Sequence, residues 1–369
     1  MIAKLHVLKT LTAASVLGIF ASSAVAEKKD VFFYNWSDYI AENTIENFQK
    51  ESGIKVVYDV FDSNDVLEAK LLAGRTGYDI VVPSGDFMAR QIQAGIYQKL
   101  DLSKIPNAKG LDPQAMKIIS SLDPNNEHAI PYMWGTTGIG INVNMVKERL
   151  GEDFPLDSWN LILDPEVSSK LADCGITILD AWDEFVPSVL NYLGEDSQNQ
   201  NAKLLKSVAE PALKKIRPNI RYFHSSLYIN DLANGDVCVS VGWSGDILQA
   251  MDRASEAENG VEIAYIIPKE GAPIWFDLML IPKDAPNVDN AHALINYLID
   301  PKVMADITNY VWYPNAIPAS KEFIDPEIVE DESIYPPQAV LDKLFPAPIN
   351  GPRYDRAGSR MWSAFKAAK

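Results

Sequence analysis

Three short stretches of the chain place an indole beside a carboxylate: Trp36-Ser37-Asp38-Tyr39, Trp243-Ser244-Gly245-Asp246 and Trp275-Phe276-Asp277. A fourth, Trp312-Tyr313, is purely aromatic. A desolvated ammonium needs both kinds of group. A carboxylate neutralises it and accepts charge-assisted hydrogen bonds, and an aromatic face adds roughly 0.5–2 kcal/mol of cation–π attraction. Aromatic walls also accept the methylenes between two amines. With 36 aromatic and 50 acidic residues in the chain, such neighbours arise often by chance. What singles these out is their place at predicted strand-to-helix junctions, because ligands of α/β sheets sit beyond the carboxyl ends of strands. Residue types and spacing lead this far: a protein that binds a cation.

Catalytic signatures are weak by comparison. Gly242-Trp243-Ser244-Gly245 lacks the spacing of a nucleophile elbow. Gly135-Thr136-Thr137-Gly138-Ile139-Gly140 is neither a phosphate loop nor a dinucleotide fingerprint, and reads as a strand where backbones approach closely. A carboxylate pair for glycoside hydrolysis can always be found among 50 acids, so none is diagnostic. The expectation is a binding protein without cofactor. His128, His224 and His292 lie too far apart in sequence to suggest a metal site.

The elements that must position these residues alternate. Strand patterns at 31–36, 54–61 and 78–83 are interleaved with helical spacing at 40–50 and after Ser63, a plausible N-cap. This alternation predicts an α/β fold. Residues 130–135 read as a composition break, and further strands are expected at 138–143, 176–179, 220–223, 238–243, 261–267 and 275–281, with helices at 182–193, 228–234, 287–299 and 301–310. The last 55 or so residues are Pro-rich, with one clear helix near 337–344. Two α/β lobes joined by several strands would leave a cleft between them, a frequent place for ligands.

The 369 residues suit about two domains. A formal charge of −17 argues against nucleic acid, whose phosphates need a positive face. Residues 1–26 read as a signal peptide: Lys4 and Lys9, an apolar run from Leu11 to Phe20, and Ala24-Val25-Ala26 before Glu27. The expected product is exported and soluble. Cys174 and Cys238, an even and sparse pair in an oxidising compartment, favour one disulfide.

Longer segments carry a resemblance. Residues 34–40 (YNWSDYI), 53–59 (GIKVVYD) and 78–84 (YDIVVPS), then 217–223 (RPNIRYF), 229–236 (INDLANGD) and 267–271 (IPKEG), resemble the periplasmic polyamine-binding proteins of bacterial ABC importers, of the putrescine- and spermidine-binding type. The resemblance covers essentially the whole chain after residue 26. It implies a two-lobed periplasmic-binding-protein fold of type II with multiple hinge crossovers and a ligand cleft between lobes. The lobes are expected at 27–134 plus 256–306, and at 135–255 plus 307–369. The resemblance also implies a monomer in the periplasm that takes a polyamine and delivers it to an inner-membrane ABC permease.

Carried over residue by residue, Trp36, Tyr39, Trp243, Trp275 and Tyr313 look like aromatic walls. Asp246 and Asp277 look like the carboxylates at one ammonium, and Asp38 and Glu184 like those at the far end. Ser37 and Ser84 would be hydrogen-bonding neighbours, with Ser226 as a further contact, and the two cysteines match the family's disulfide. Trp275 and Asp86 resemble the spermidine-preferring members, so spermidine is expected ahead of putrescine. The alternatives are a putrescine-preferring relative or a periplasmic sensor. A simpler reading of Asp86 is a cap on the helix that follows it. From other classes, a sugar-binding protein would need fewer convergent acids, and a secreted glycosidase would turn substrate over.

Overall fold

The computed structural model describes residues 30–368. The expected signal peptide and its cleavage before Glu27 lie outside them. Ten strands form the sheet framework: β1 (Asp30–Trp36), β2 (Lys55–Phe61), β3 (Ile80–Val81), β4 (Ala129–Asn142), β5 (Ile176–Ile178), β6 (Ile220–Phe223), β7 (Val239–Trp243), β8 (Ile263–Ile266), β9 (Pro273–Leu280) and β10 (Phe345–Pro346). The order is β2-β1-β3-β9-β4-β7-β5-β6, with β10 on β9 and β8 on β4. β1 runs parallel to β2 and β3, and β5 parallel to β6 and β7. Parallel neighbours need crossovers, and the helices between these strands supply them. Among the described residues no helix is long and apolar enough to cross a membrane.

β4 belongs to both halves of this framework. Its residues from Ala129 to Thr136 pair antiparallel with β9, and those from Thr137 onward pair with β7 and β8. The sequence suggested a composition break at 130–135 followed by a glycine-rich strand at 138–143, whereas the structure runs one strand through both. The glycines keep the strand whole by letting neighbours close in. A Cβ at Gly138 would meet the Ile266 carbonyl oxygen, and one at Gly135 would come within 2.7 Å of the Trp275 ring.

Two hydrophobic cores flank the switch in β4. The first gathers Phe33, Ile80, Met133, Leu278 and Leu294, and the second Ile139, Trp159, Phe185, Val239 and Ile247. Packing divides the chain differently from the expected boundaries at 256 and 306. Ile263, Tyr265 and Ala272 lie in the second core, because β8 pairs with the far half of β4. Ile307, Val311 and Ile317 lie in the first.

Most strands and helices fall within a few residues of the expected bounds. Ser63 caps its helix by accepting the Val66 amide at 3.3 Å. The expected strand at 78–83 shrinks to two paired residues. The Pro-rich tail holds an unexpected helix, Pro352–Ala367, 16 residues long. Its internal Gly358 lowers helix propensity, yet the position demands it, since a Cβ there would run into the Trp182 ring.

Cys174 and Cys238 form a disulfide, with Cα atoms 5.5 Å apart and a sequence separation of 64. Both are buried, tying the entrance of β5 to that of β7. A loop of that size stabilises the fold by about 4 kcal/mol in the chain-entropy model. Urea unfolding of the Cys174→Ala, Cys238→Ala protein should show a loss of that order. A loss below about 1 kcal/mol would mean the unfolded chain is already compact here.

Candidate functional site

Between the cores lies a cavity. The chain reaches it from the ends of strands. β1 finishes at Trp36, and Ser37 and Tyr39 follow directly. Asp38, between them, adopts a left-handed backbone with φ of 53°. Ser84 precedes the helix Gly85–Gln93. Trp275 and Asp277 are two apart on β9, hence on one face, and Tyr313 follows the helix Pro301–Val311. From the second core come Glu184, in the first turn of the helix Trp182–Tyr192, Trp243 at the end of β7, and Asp246 in the first turn of the helix Ser244–Glu256. All of these but Asp38 line the cavity, and among the described residues no Lys, Arg or His does.

Three carboxylates face this space, each held by neutral donors. Ser84 donates to Asp277 Oδ1 at 2.7 Å and Tyr39 to its Oδ2 at 3.0 Å. Tyr313 donates to Asp246 Oδ1 at 2.8 Å and Tyr228 to its Oδ2 at 2.7 Å. Glu184 Oε2 accepts from Thr137 Oγ1 and Trp243 Nε1, both at 2.7 Å. Burial pushes Asp246, Asp277 and Glu184 each up to about 7, against the pull of these donors. Burial first, then the neighbouring carboxylates, raise the Tyr39, Tyr228 and Tyr313 phenols well above their ordinary value, so they remain donors.

The aromatic walls brace one another. Trp36 meets Trp243 edge-on at 5.4 Å between ring centres, and Tyr39 meets Tyr313 edge-on at 5.0 Å. Trp275 lies tilted against Tyr313 at 5.5 Å. The Trp36 indole donates to the Val82 carbonyl at 2.8 Å, which fixes its ring over the cavity. The result is an apolar slot with carboxylates on both cores, suited to a slender cation whose charges are separated by methylenes.

Three of the expected site residues stand outside this lining. The Asp38 carboxylate turns to the rim and pairs with Arg253 at 3.0 Å, so its charge is already met by the protein. Ser226 sits at the rim as well, its Oγ 3.4 Å from that of Ser37. Asp86 is buried near the start of the helix Gly85–Gln93, accepts from its own amide and that of Phe87, and has Arg90 one turn on. Burial raises its carboxyl to about 6. The helix starts at Gly85 with Ser84 at its N-cap and no side-chain cap bond, so Asp86 lies inside the first turn rather than at the cap, and it lines a separate recess beside Trp275.

Sequence reasoning missed Thr137 and Tyr228. Thr137 lay inside a glycine-rich run read only for its backbone, and Tyr228 inside a helix with no acid beside it. Their value is a hydroxyl aimed at a carboxylate 47 or 18 residues away.

Comparison with known proteins gives a consistent answer. The chain is 51% identical to the putrescine-binding periplasmic protein PotF of Escherichia coli (strain K12), over 98% of each chain. It is also 51% identical to the putrescine-binding periplasmic protein SpuD of Pseudomonas aeruginosa (strain UCBPP-PA14), again over 98% of each. Among solved structures, the spermidine/putrescine ABC transporter substrate-binding protein PotD of Streptococcus pneumoniae superposes with a TM-score of 0.73 at 28% identity, covering 91% of this chain and 98% of that one. Residues 43–337 match the family model of bacterial extracellular solute-binding proteins, and this chain belongs to that family.

Proposed function

We propose that this protein captures a short aliphatic diamine, putrescine before spermidine, in the periplasm and delivers it to an ABC permease. The observation that carries this reading is the cavity itself: three carboxylates in an aromatic slot that contains no basic side chain. Asp246 and Asp277 receive one ammonium beside Tyr39 and Tyr313, and Glu184 receives the other beside Trp243. The two cores act as lobes that close over the ligand. An ammonium buried without a partner would lose several kcal/mol, so both ends need acids, and excluding water strengthens each contact. The protein binds and releases without making or breaking a covalent bond.

Spermidine preference was expected from Trp275 and Asp86. Putrescine-first is better supported on two counts. The relatives at 51% identity are named for putrescine, whereas relatives named for spermidine and putrescine together stand at 32–33%. In addition, Asp86 lies outside the cavity, with its charge engaged by its own helix.

Isothermal titration of the ligand-stripped protein with putrescine, spermidine and spermine, with arginine as control, tests this. One-to-one binding led by putrescine supports the reading. Spermidine leading would reverse the preference, and binding of none would remove polyamines as the ligand. Trp275→Ala should weaken putrescine by at least about tenfold, through lost cation–π and methylene contact. An unchanged affinity would mean that Trp275 is no wall.

A further inference from the structure

We propose that Asn64 is a positioning residue for the ammonium site: its carboxamide leaves the Ser84 hydroxyl one direction for its proton, toward the Asp277 carboxylate. The inference rests on the diamine reading of the cavity. Asn64 opens the helix Asn64–Ala73, is buried, and stands outside the cavity lining. Its side chain meets Ser84 twice. Oδ1 accepts the Ser84 amide at 3.1 Å, and Nδ2 lies 3.0 Å from Ser84 Oγ. A backbone N–H only donates, so the carbonyl end of the carboxamide faces it and the amino end faces the hydroxyl. The amino end only donates in turn. Ser84 Oγ therefore accepts there, and its own proton goes to Asp277 Oδ1 at 2.7 Å. The chain of donors runs one way, from Asn64 through Ser84 to the carboxylate, and donors in series strengthen one another.

A second observation agrees. Ser84 is the N-cap residue of the helix Gly85–Gln93, where a serine hydroxyl ordinarily accepts an amide of the first turn. Here it makes no such bond. Asp86 accepts its own amide and that of Phe87 instead. The hydroxyl is withdrawn from its helix and given to the site. The Ser84 and Asp277 backbones pair antiparallel, and the Leu278 amide donates to the Pro83 carbonyl at 3.1 Å. With both backbones fixed, the direction of the hydroxyl is the freedom that Asn64 removes. Tyr39, Glu184 and Asp86 are the other titratable groups around Asp277, and Asp62, Asp65, Asp180 and Asp183 line the recess that Asn64 borders. Asp277 titrates at about 7 without ligand. Below that pH binding must ionise it, and the Ser84 bond then favours the complex alone. Above it the bond is made with and without ligand, and cancels.

The test is a double-mutant cycle, read by isothermal titration with putrescine at pH 6 and pH 8.5. Asn64→Leu keeps the size and removes both polar ends. It should weaken putrescine by about fivefold at pH 6, within what one hydrogen bond to a charged group supports. At pH 8.5 the loss should shrink to less than about twofold. In a Ser84→Ala background, which has no hydroxyl to direct, Asn64→Leu should change affinity by less than about twofold at either pH. Asn64→Asp can only accept and claims the Ser84 proton for itself. It should show the same dependence on Ser84, because its added charge is common to both backgrounds, and it carries the test if Asn64→Leu does not fold. An equal fall in both backgrounds, an equal fall at both pH values, or no fall beside Ser84 at pH 6 would overturn the inference while leaving the diamine reading intact. Failure of the wild type to bind putrescine would remove both.

Discussion

Asp277→Asn should lower putrescine affinity by about a hundredfold or more, and Asp246→Asn should do the same. Removing one partner of a desolvated charge pair costs roughly 2–5 kcal/mol, since the other charge is left buried and unmet. Asparagine keeps the shape and can still accept from Ser84 or Tyr313, so the loss isolates charge from packing. The ligand-free variants give an internal control. Each removes a carboxylate that burial disfavours in its charged form. At pH 8 the variants should therefore melt no lower than the wild type while binding far less. Titration and thermal melting measure the two halves. Affinity within about threefold of wild type would take that aspartate out of the ammonium site.

The second large effect concerns pH, and its two arms run in opposite directions. Asp246, Asp277 and Glu184 sit at about 7 in the ligand-free fold, against ordinary values of 3.8, 3.8 and 4.5. Between those values the folded protein holds more protons than the unfolded chain. Its stability therefore falls as pH rises toward 7 and is greatest on the acid side. Diamine binding needs the carboxylates charged, so acid opposes it. From pH 7 to 5 affinity should fall by up to about tenfold per pH unit for each carboxylate that must ionise. Titration at pH 6 in two buffers of different ionisation enthalpy should register protons released on binding, on the order of two. Melting of the ligand-free protein from pH 8 to 5 should move upward over the same range. Affinity that stays flat between pH 8 and 5 would mean the site is charged before the ligand arrives.

The sequence conveyed strands more readily than side-chain directions. Runs such as Val31-Phe32-Phe33-Tyr34 and the β-branched stretch at β2 announced themselves, because burial selects those residue types locally. The helix Pro352–Ala367 did not, since Gly358 reads as a breaker until the Trp182 ring beneath it is seen. At the site, the indole–acid pairs at 243–246 and 275–277 were legible because one strand end delivers both partners. Asp38, in a stretch of the same kind, and Asp86, read through the resemblance, both stand outside the cavity lining. A left-handed φ swings Asp38 to the rim, and helix geometry turns Asp86 to a recess beside Trp275. Thr137 and Tyr228 act through partners distant in sequence, which no local pattern records.

The chain passes between the two cores at three places: within β4, between β8 and β9, and between Ile317 and Ile324. Bodies joined by three backbones cannot slide past or screw around one another without straining the strands, so rotation about the junctions is the motion left to them. Slot width and the distance from Asp38 to Arg253 at the rim are then two readings of one coordinate. Reporter groups near that ion pair would follow occupancy of a cavity they never touch. Conversely, the strength of the pair sets how far the slot stands open when it is empty.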